Sequence, residues 1–369
     1  MSRDSDLEFS LKELSGATGD FGTLLPLAVG FIMINGMNPG SIMIAFGLSN
    51  IATGIIYRAP MPLQPMKAIA AIAIAQRWSA DLVTATALSM GIFWLLVSMV
   101  PRVELLIRKT PTSVVRGIQL ALGASLAIAG ASMILDGITY LGIAAIGLII
   151  LLNRGGRRGP SSIVILAIGI AIALVRGAPV ASPWTFSPPA FLLPNASLAW
   201  EGLLRGGIAQ IPLTLTNAVI ACCALISHYF PEKHIPERKL MMNMGYMNIG
   251  ASLIGGFPMC HGAGGLASQY YFGARTGGAN VMEGTLEVLI GLFLGSAMVG
   301  IFSEFPEALL GAMMLMVGIE LGKFSGGVEK HMWPTVLVTV ACALYWNLGV
   351  GFAVGIAFHL ASGMIKRTM

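Results

Sequence analysis

The stretch APMPLQPMKAIAAIAIAQRW, residues 59–78, decides how this chain must fold. It lies in otherwise nearly continuous apolar sequence, yet it carries Pro60, Pro62 and Pro65, with Gln64 and Lys67 beside them. Each proline removes a backbone donor and clashes with the preceding turn, so the first part cannot be helix interior. From Met66 onward the pattern is helical, but a helix over 66–77 rises only about 18 Å against a hydrocarbon core of about 30 Å. A broken backbone and an ammonium group therefore sit at membrane depth.

Composition makes the membrane setting secure. Hydrophobic residues are 56% of the 369 and charged residues 11%, against about 25% charged in a soluble domain; mean hydropathy is +0.80. The formal charge of +5 does not point to nucleic acid, because the basic residues sit in short gaps between apolar runs, as the positive-inside rule requires. The polar start MSRDSDLEFSLKELSG lacks the basic-then-apolar pattern of a cleavable signal. Cys222, Cys223, Cys260 and Cys342 lie in apolar segments and read as buried thiols rather than a disulfide framework.

Apolar runs predict spans at 19–36, 39–57, 79–100, 113–134, 138–152, 160–176, 200–228, 239–255, 280–302, 306–322, 332–346 and 348–365, with short helices at 66–77 and 262–273. Counting both short helices gives fourteen segments. With both termini inside, Arg58, Arg102, Arg108, Lys109, Arg154, Arg157, Arg158, Lys233, Arg238, Lys239, Arg275, Lys323, Lys330, Lys366 and Arg367 all become cytoplasmic, and only Arg77 and Arg176 fall near the outer side. Omitting either short helix scrambles that asymmetry.

The two halves resemble each other. TLLPLAV around Pro26 recurs as AQIPLTL around Pro212, MPLQPM as GFPMCHG around Pro258, and TPTSVVRG around Pro111 as FPEALLGA around Pro306, each pair separated by roughly half the chain. Seven segments per half is an odd number, so the second copy enters the membrane from the opposite side. Inverted repeats of this kind place their binding site near the midplane, where interrupted helices present free N-terminal N–H groups; irregular backbone is tolerated there only if buried or lining a wet cavity. Two such tips meeting head to head would bind an anion.

At these motifs the sequence resembles a known family. PMPLQPMKAIAA at 60–71 and GGFPMCHGAGGLASQYYFGARTG at 255–277 are similar to the paired signatures of the molybdate transporters related to sulfate permeases; GDFGTLLPL at 19–27 and QIPLTLTNAVIA at 210–221 fit as well. The resemblance implies an all-α integral membrane protein with the seven-plus-seven inverted-repeat fold of sulfate permeases and nucleobase transporters. It implies a transport core, about 15–101 and 199–302, moving against a gate, about 102–178 and 303–366, that also forms a homodimer. The chain stops at Met369, so the regulatory domain appended to sulfate permeases is not expected.

For a negatively charged ligand, the candidate contacts around the first break are Gln64, Met66, Lys67 and Ala68. Lys67 is the only lysine at membrane depth; it either adds a full charge beside the helix tip or pairs with Asp20 or Glu287. At the second break they are Cys260, His261, Gly262, Ala263 and Gly264, glycine allowing close backbone approach. His261 could donate, titrate or be structural. Thr23, Gln210 and Asn217 enter on the two proline-marked helices that flank the breaks, with Thr214 and Thr216. Asp20, Glu287 and Glu283 are the candidates for a coupling proton. Arg116 and Gln119 lie on the first gate helix. No metal site is expected, because Cys260–His261 has no second ligand pair at zinc spacing; no cofactor, nucleotide motif or nucleophile–base pair is visible, and the chain is not expected to be an enzyme.

Moving a dianion inward against an inside-negative potential costs about 4.6 kcal/mol per 100 mV. Accumulation therefore calls for coupling, with proton symport the natural source. The expectation is proton-coupled molybdate uptake across a prokaryotic-type cytoplasmic membrane. Sulfate or tungstate transport and a passive anion channel are the alternatives.

Overall fold

A computed structural model describes residues 7–100, 111–153, 160–180, 185–323 and 328–368; the side chains of residues 22, 23, 160 and 363–368 lie outside that description. Thr23 and the gap cations at 102–109, 154–158 and 366–367 therefore fall outside it.

The fold is a bundle of helices with one tiny sheet. The first half comprises α1 (Leu11–Ala17), a 3-10 turn (Thr18–Asp20), α2 (Phe21–Met33), α3 (Pro39–Tyr57), β1 (Leu63–Pro65), α4 (Lys67–Ala75), α5 (Ala80–Met99), α6 (Thr112–Asp136), α7 (Thr139–Asn153) and α8 (Pro160–Val175). The second comprises α9 (Ala196–Tyr229), α10 (Glu237–Ser252), β2 (Met259–His261), α11 (Ala263–Phe272), α12 (Gly278–Ser303), α13 (Glu307–Lys323), α14 (Trp333–Tyr345) and α15 (Leu348–Thr368). Each segment expected from the sequence has its helix within a few residues. By length and apolarity alone, five described helices can cross a bilayer: α3, α5, α6, α9 and α12. A sixth counts if the pair Leu11–Asp20 and Leu24–Met33, bent by 60°, is taken as one.

Local chemistry sets the ends. Asn38 accepts from the Ser41 N–H and Pro39 opens α3, which stops where Arg58 turns left-handed at φ 49°. Ser79 caps α5 through the Leu82 N–H. Two stretches of α9 (Leu203–Gly207 and Thr214–Ile220) are π-helical. The second begins two residues after Pro212, which can donate no helical hydrogen bond. Glu13 on α1 accepts from the backbone N–H groups of Arg275 and Thr276, docking the amino-terminal helix on the start of α12.

Packing follows the repeat. The most extensive contacts pair α3 with α12, α5 with α10, and α6 with α13. Exchanging the two halves converts the first pair into the second and the third into itself. Glycines permit this closeness: Gly40, Gly47 and Gly54 on α3 face Gly291 and Gly284 on α12 and Gly277 at its N-cap, and a Cβ on Gly47 would lie 2.5 Å from the Gly284 carbonyl oxygen. Gly123 and Gly130 on α6 face Gly318 and Gly311 on α13 in the same way. The apolar core runs through both halves, with α4 almost wholly inside it. The four cysteines are free thiols, three of them buried.

Candidate functional site

The two breaks meet. β1 and β2 pair antiparallel, with Leu63 opposite His261, Gln64 opposite Cys260 and Pro65 opposite Met259. The Met66 N–H extends the ladder to the Pro258 carbonyl at 2.9 Å. Helices α4 and α11, only nine and ten residues long, start directly after their strands. The pairing therefore ties both helix starts to one short ladder inside the bundle, α4 leaving one end of it and α11 the other. Proline leaves backbone acceptors that no helix can use, and a strand partner satisfies them.

Asparagines hold this irregular backbone. Asn280 on α12 accepts from the Met61 N–H at 2.9 Å and donates to the Met61 carbonyl at 2.8 Å. Asn248 on α10 does the same for Met259, at 2.7 Å in both directions. Asn35 donates to the carbonyls of Ala73 and Trp78 at the end of α4. None of the three was singled out from the sequence. The available signal was an amide in an apolar helix, since such a group must find partners.

The α11 start is the more open tip. No side chain caps it, so the N–H groups of Ala263, Gly264 and Gly265 keep no capping partner. Gly264 is exposed, with no heavy atom within 4 Å of where a Cβ would stand. Gly262 and Gly265 instead lie under the Gln64 amide: a Cβ on Gly262 would meet its Oε1 at 2.5 Å, and one on Gly265 would meet its Nε2 at 2.6 Å. Gln64 Nε2 donates to both Asp20 carboxylate oxygens, at 2.6 and 2.7 Å. Its Oε1 is buried without a protein partner. Lys67, partly exposed at the α4 start, makes no ion pair among the described residues; it remains within electrostatic reach of Asp20 and Cys260.

Several expected contacts are committed elsewhere. The Ala68 N–H donates to Gln210 Oε1 at 2.7 Å, and Gln210 Nε2 donates to Thr214 Oγ1. Gln210 thus caps α4 and, with Ala68, is closed to a ligand in this arrangement. Met66 spends its N–H on Pro258 and is fully buried. His261 is likewise fully buried, with Nδ1 3.1 Å from the Pro62 carbonyl and Nε2 3.2 Å from Asn243 Nδ2. A carbonyl only accepts, so Nδ1 carries the hydrogen and Nε2 accepts from Asn243 on α10; both nitrogens are engaged. Cys260 is buried opposite Gln64. Asn217 is partly exposed on the π-helical segment, which packs against β2.

The remaining acidic candidates lie on α12. Glu287 accepts from Asn50 at 2.9 Å, and Asn50 accepts from Asn280, which ties Glu287 to the backbone just before β1. Glu283 is one turn away and also buried. Arg116 and Gln119 on α6 bond each other at 3.0 Å. Among the described residues no three His, Cys, Asp or Glu side chains gather as a metal cluster.

A family model described as molybdate transporter of the MFS superfamily matches residues 12–126 and 202–321, the corresponding stretches of the two halves. The chain belongs to this molybdate transporter family. Molybdate transporter 1 of Arabidopsis thaliana is 32% identical over 94% of this chain and 86% of its own length, and molybdate transporter 2 of the same plant is 30% identical with the same coverage. Molybdate transporter 1 of Chlamydomonas reinhardtii is 28% identical over 96% of the chain and 92% of its own. Among solved structures the fold is similar to the transmembrane domain of a cyanobacterium bicarbonate transporter, BicA (TM-score 0.70, 14% identity, 92% of this chain and 97% of that one). It is also similar to solute carrier 26 member A9 (TM-score 0.72, 13% identity), matching 96% of this chain but only 65% of that longer one. At such low identity these two likenesses speak to fold alone.

Proposed function

We propose that this member of the molybdate transporter family is a secondary active transporter. It takes up molybdate as a tetrahedral dianion, coupled to protons, and binds it where the α4 and α11 starts converge. The observation that carries this reading is the strand pair, which joins two interrupted helices beside uncapped N–H donors, a lysine with no ion pair among the described residues, and glycine-opened space. A tetrahedral oxyanion suits such donors, because each oxygen accepts without demanding planar geometry.

In this reading the chain crosses a cytoplasmic membrane fourteen times as an inverted repeat, with both termini in the cytoplasm. The core carries the site past a gate built around α6 and α13, and a dimer forms through the gate. The repeat-symmetric pairing of α3 with α12 and of α5 with α10 supports this division. Asp20, Glu283 and Glu287 are buried carboxylates suited to carrying protons.

The test is uptake into vesicles holding purified protein, with molybdate, tungstate and sulfate offered separately. Accumulation of molybdate driven by an imposed inward proton gradient is expected. Flux of equal size with and without the gradient makes the protein a passive channel, and uptake of sulfate alone replaces the substrate.

A further inference from the structure

Gln64 is among the described side chains that bury a polar atom without a partner. It is 1% exposed, its Nε2 is held by Asp20, and its Oε1 has no protein partner although it rests on Gly262, the residue that opens α11. Burying an acceptor with no partner is costly. Beside a helix tip meant for an anion it also has the wrong sign, since a carbonyl oxygen repels an oxyanion.

The orientation follows from the charge of Asp20. A carboxylate only accepts, so it draws the amide NH2 and leaves the carbonyl facing α11. A protonated carboxyl can donate. Turning the amide by half a rotation would then let Asp20 O–H donate to Oε1 and would present two N–H donors where the carbonyl had been.

We infer that Asp20 and Gln64 form a donor–acceptor switch at the mouth of α11, in which one proton on Asp20 turns the Gln64 amide to offer its NH2 to the oxyanion. This deepens the site reading above and rests on it. Gln64 contacts the substrate; Asp20 is a positioning residue acting through it. One proton passes from the outer solution to the Asp20 carboxylate as the anion binds, and returns to solution on the inner side as the anion leaves. Glycine is required at 262 and 265 because the amide needs that volume to turn.

The charged and titratable groups facing Asp20 are Lys67 from α4, Cys260 from β2, Cys222 from α9 and Glu283 from α12. On α1, which packs against the Asp20 turn, Glu13 is engaged by the backbone of residues 275 and 276. Tyr270, from α11, is stacked on Tyr229 and covered by Arg275. Asp20 is therefore the carboxylate that Gln64 reads. One proton leaves a dianion with a net charge of −1, so Glu283 or Glu287 would have to supply further coupling.

The test is molybdate affinity by calorimetry on purified full-length protein, at pH values where molybdate remains a dianion. In the native protein, over the range where Asp20 is unprotonated before the anion binds, the affinity rises tenfold per pH unit lowered, the slope of one linked proton. Asp20→Asn, which is neutral and can donate, should bind with flat pH dependence. Gln64→Met keeps the volume and leaves Asp20 in place but cannot relay, and its slope should fall below about twofold per unit. A full tenfold slope in Gln64→Met, or in Asp20→Asn, overturns the switch. Absence of molybdate binding in the native protein at every pH overturns the site reading instead. Size-exclusion profiles and unfolding temperatures establish that the variants are folded.

Discussion

Gly264→Ala separates binding from folding at the α11 tip. The position is exposed and a methyl group there meets nothing within 4 Å. Alanine also favours the helix, so the fold should hold or gain up to about 1 kcal/mol. The methyl nevertheless stands beside the Ala263–Gly265 N–H groups and forces an anion outward. Losing one charge-assisted hydrogen bond is worth about 1.5–3 kcal/mol, which corresponds to an affinity loss of about 10- to 150-fold. Gly265→Ala behaves differently. Its methyl would lie 2.6 Å from both Asp20 Oδ2 and Gln64 Nε2, splitting a buried pair, and overpacking costs about 1–3 kcal/mol of stability. Thermal unfolding in detergent, with molybdate calorimetry on the same samples, reads both effects. Native affinity in a folded Gly264→Ala would refute the placement of the anion at this tip.

Further substitutions probe the surroundings. Lys67→Ala should abolish molybdate uptake at low substrate while the protein still inserts and folds, and full uptake would remove the lysine from the site. Asn248→Leu leaves the Met259 N–H and carbonyl buried without partners, at about 1–3 kcal/mol each; an unfolding temperature equal to the native one would show that the strand finds other partners. Gly284→Ala drives a methyl into the Gly47 backbone and should destabilise by about 1–3 kcal/mol, whereas Gly147→Ala, with nothing within 4 Å, should be neutral.

The helices were legible because apolar runs in a membrane protein end where charge or proline interrupts them; α3 and α5 begin and end where Pro39, Arg58, Ser79 and Pro101 say they should. Proline at matching places in both halves also located the two breaks. What proline could not convey is that the extended pieces pair as strands, because β1 and β2 are three residues each and lie in different halves. Nor does residue type reveal commitment. Gln210 and His261 carry polar groups a ligand could use, yet Gln210 Oε1 accepts from Ala68, 142 residues away in sequence, its Nε2 donates to Thr214, and the His261 Nδ1–H goes to Pro62, 199 residues away. Residues in the tip that stay free, Gly264 above all, are recognisable only once the packing is known.

The central claim is that a single oxyanion sits between the starts of α4 and α11. An experimental structure of the protein soaked with tungstate, whose electron density is unmistakable, tests it directly. The account predicts one strong peak within hydrogen-bonding distance of the Ala263–Gly265 N–H groups and beside Lys67. A strong peak elsewhere in the bundle, with this position empty, would contradict it.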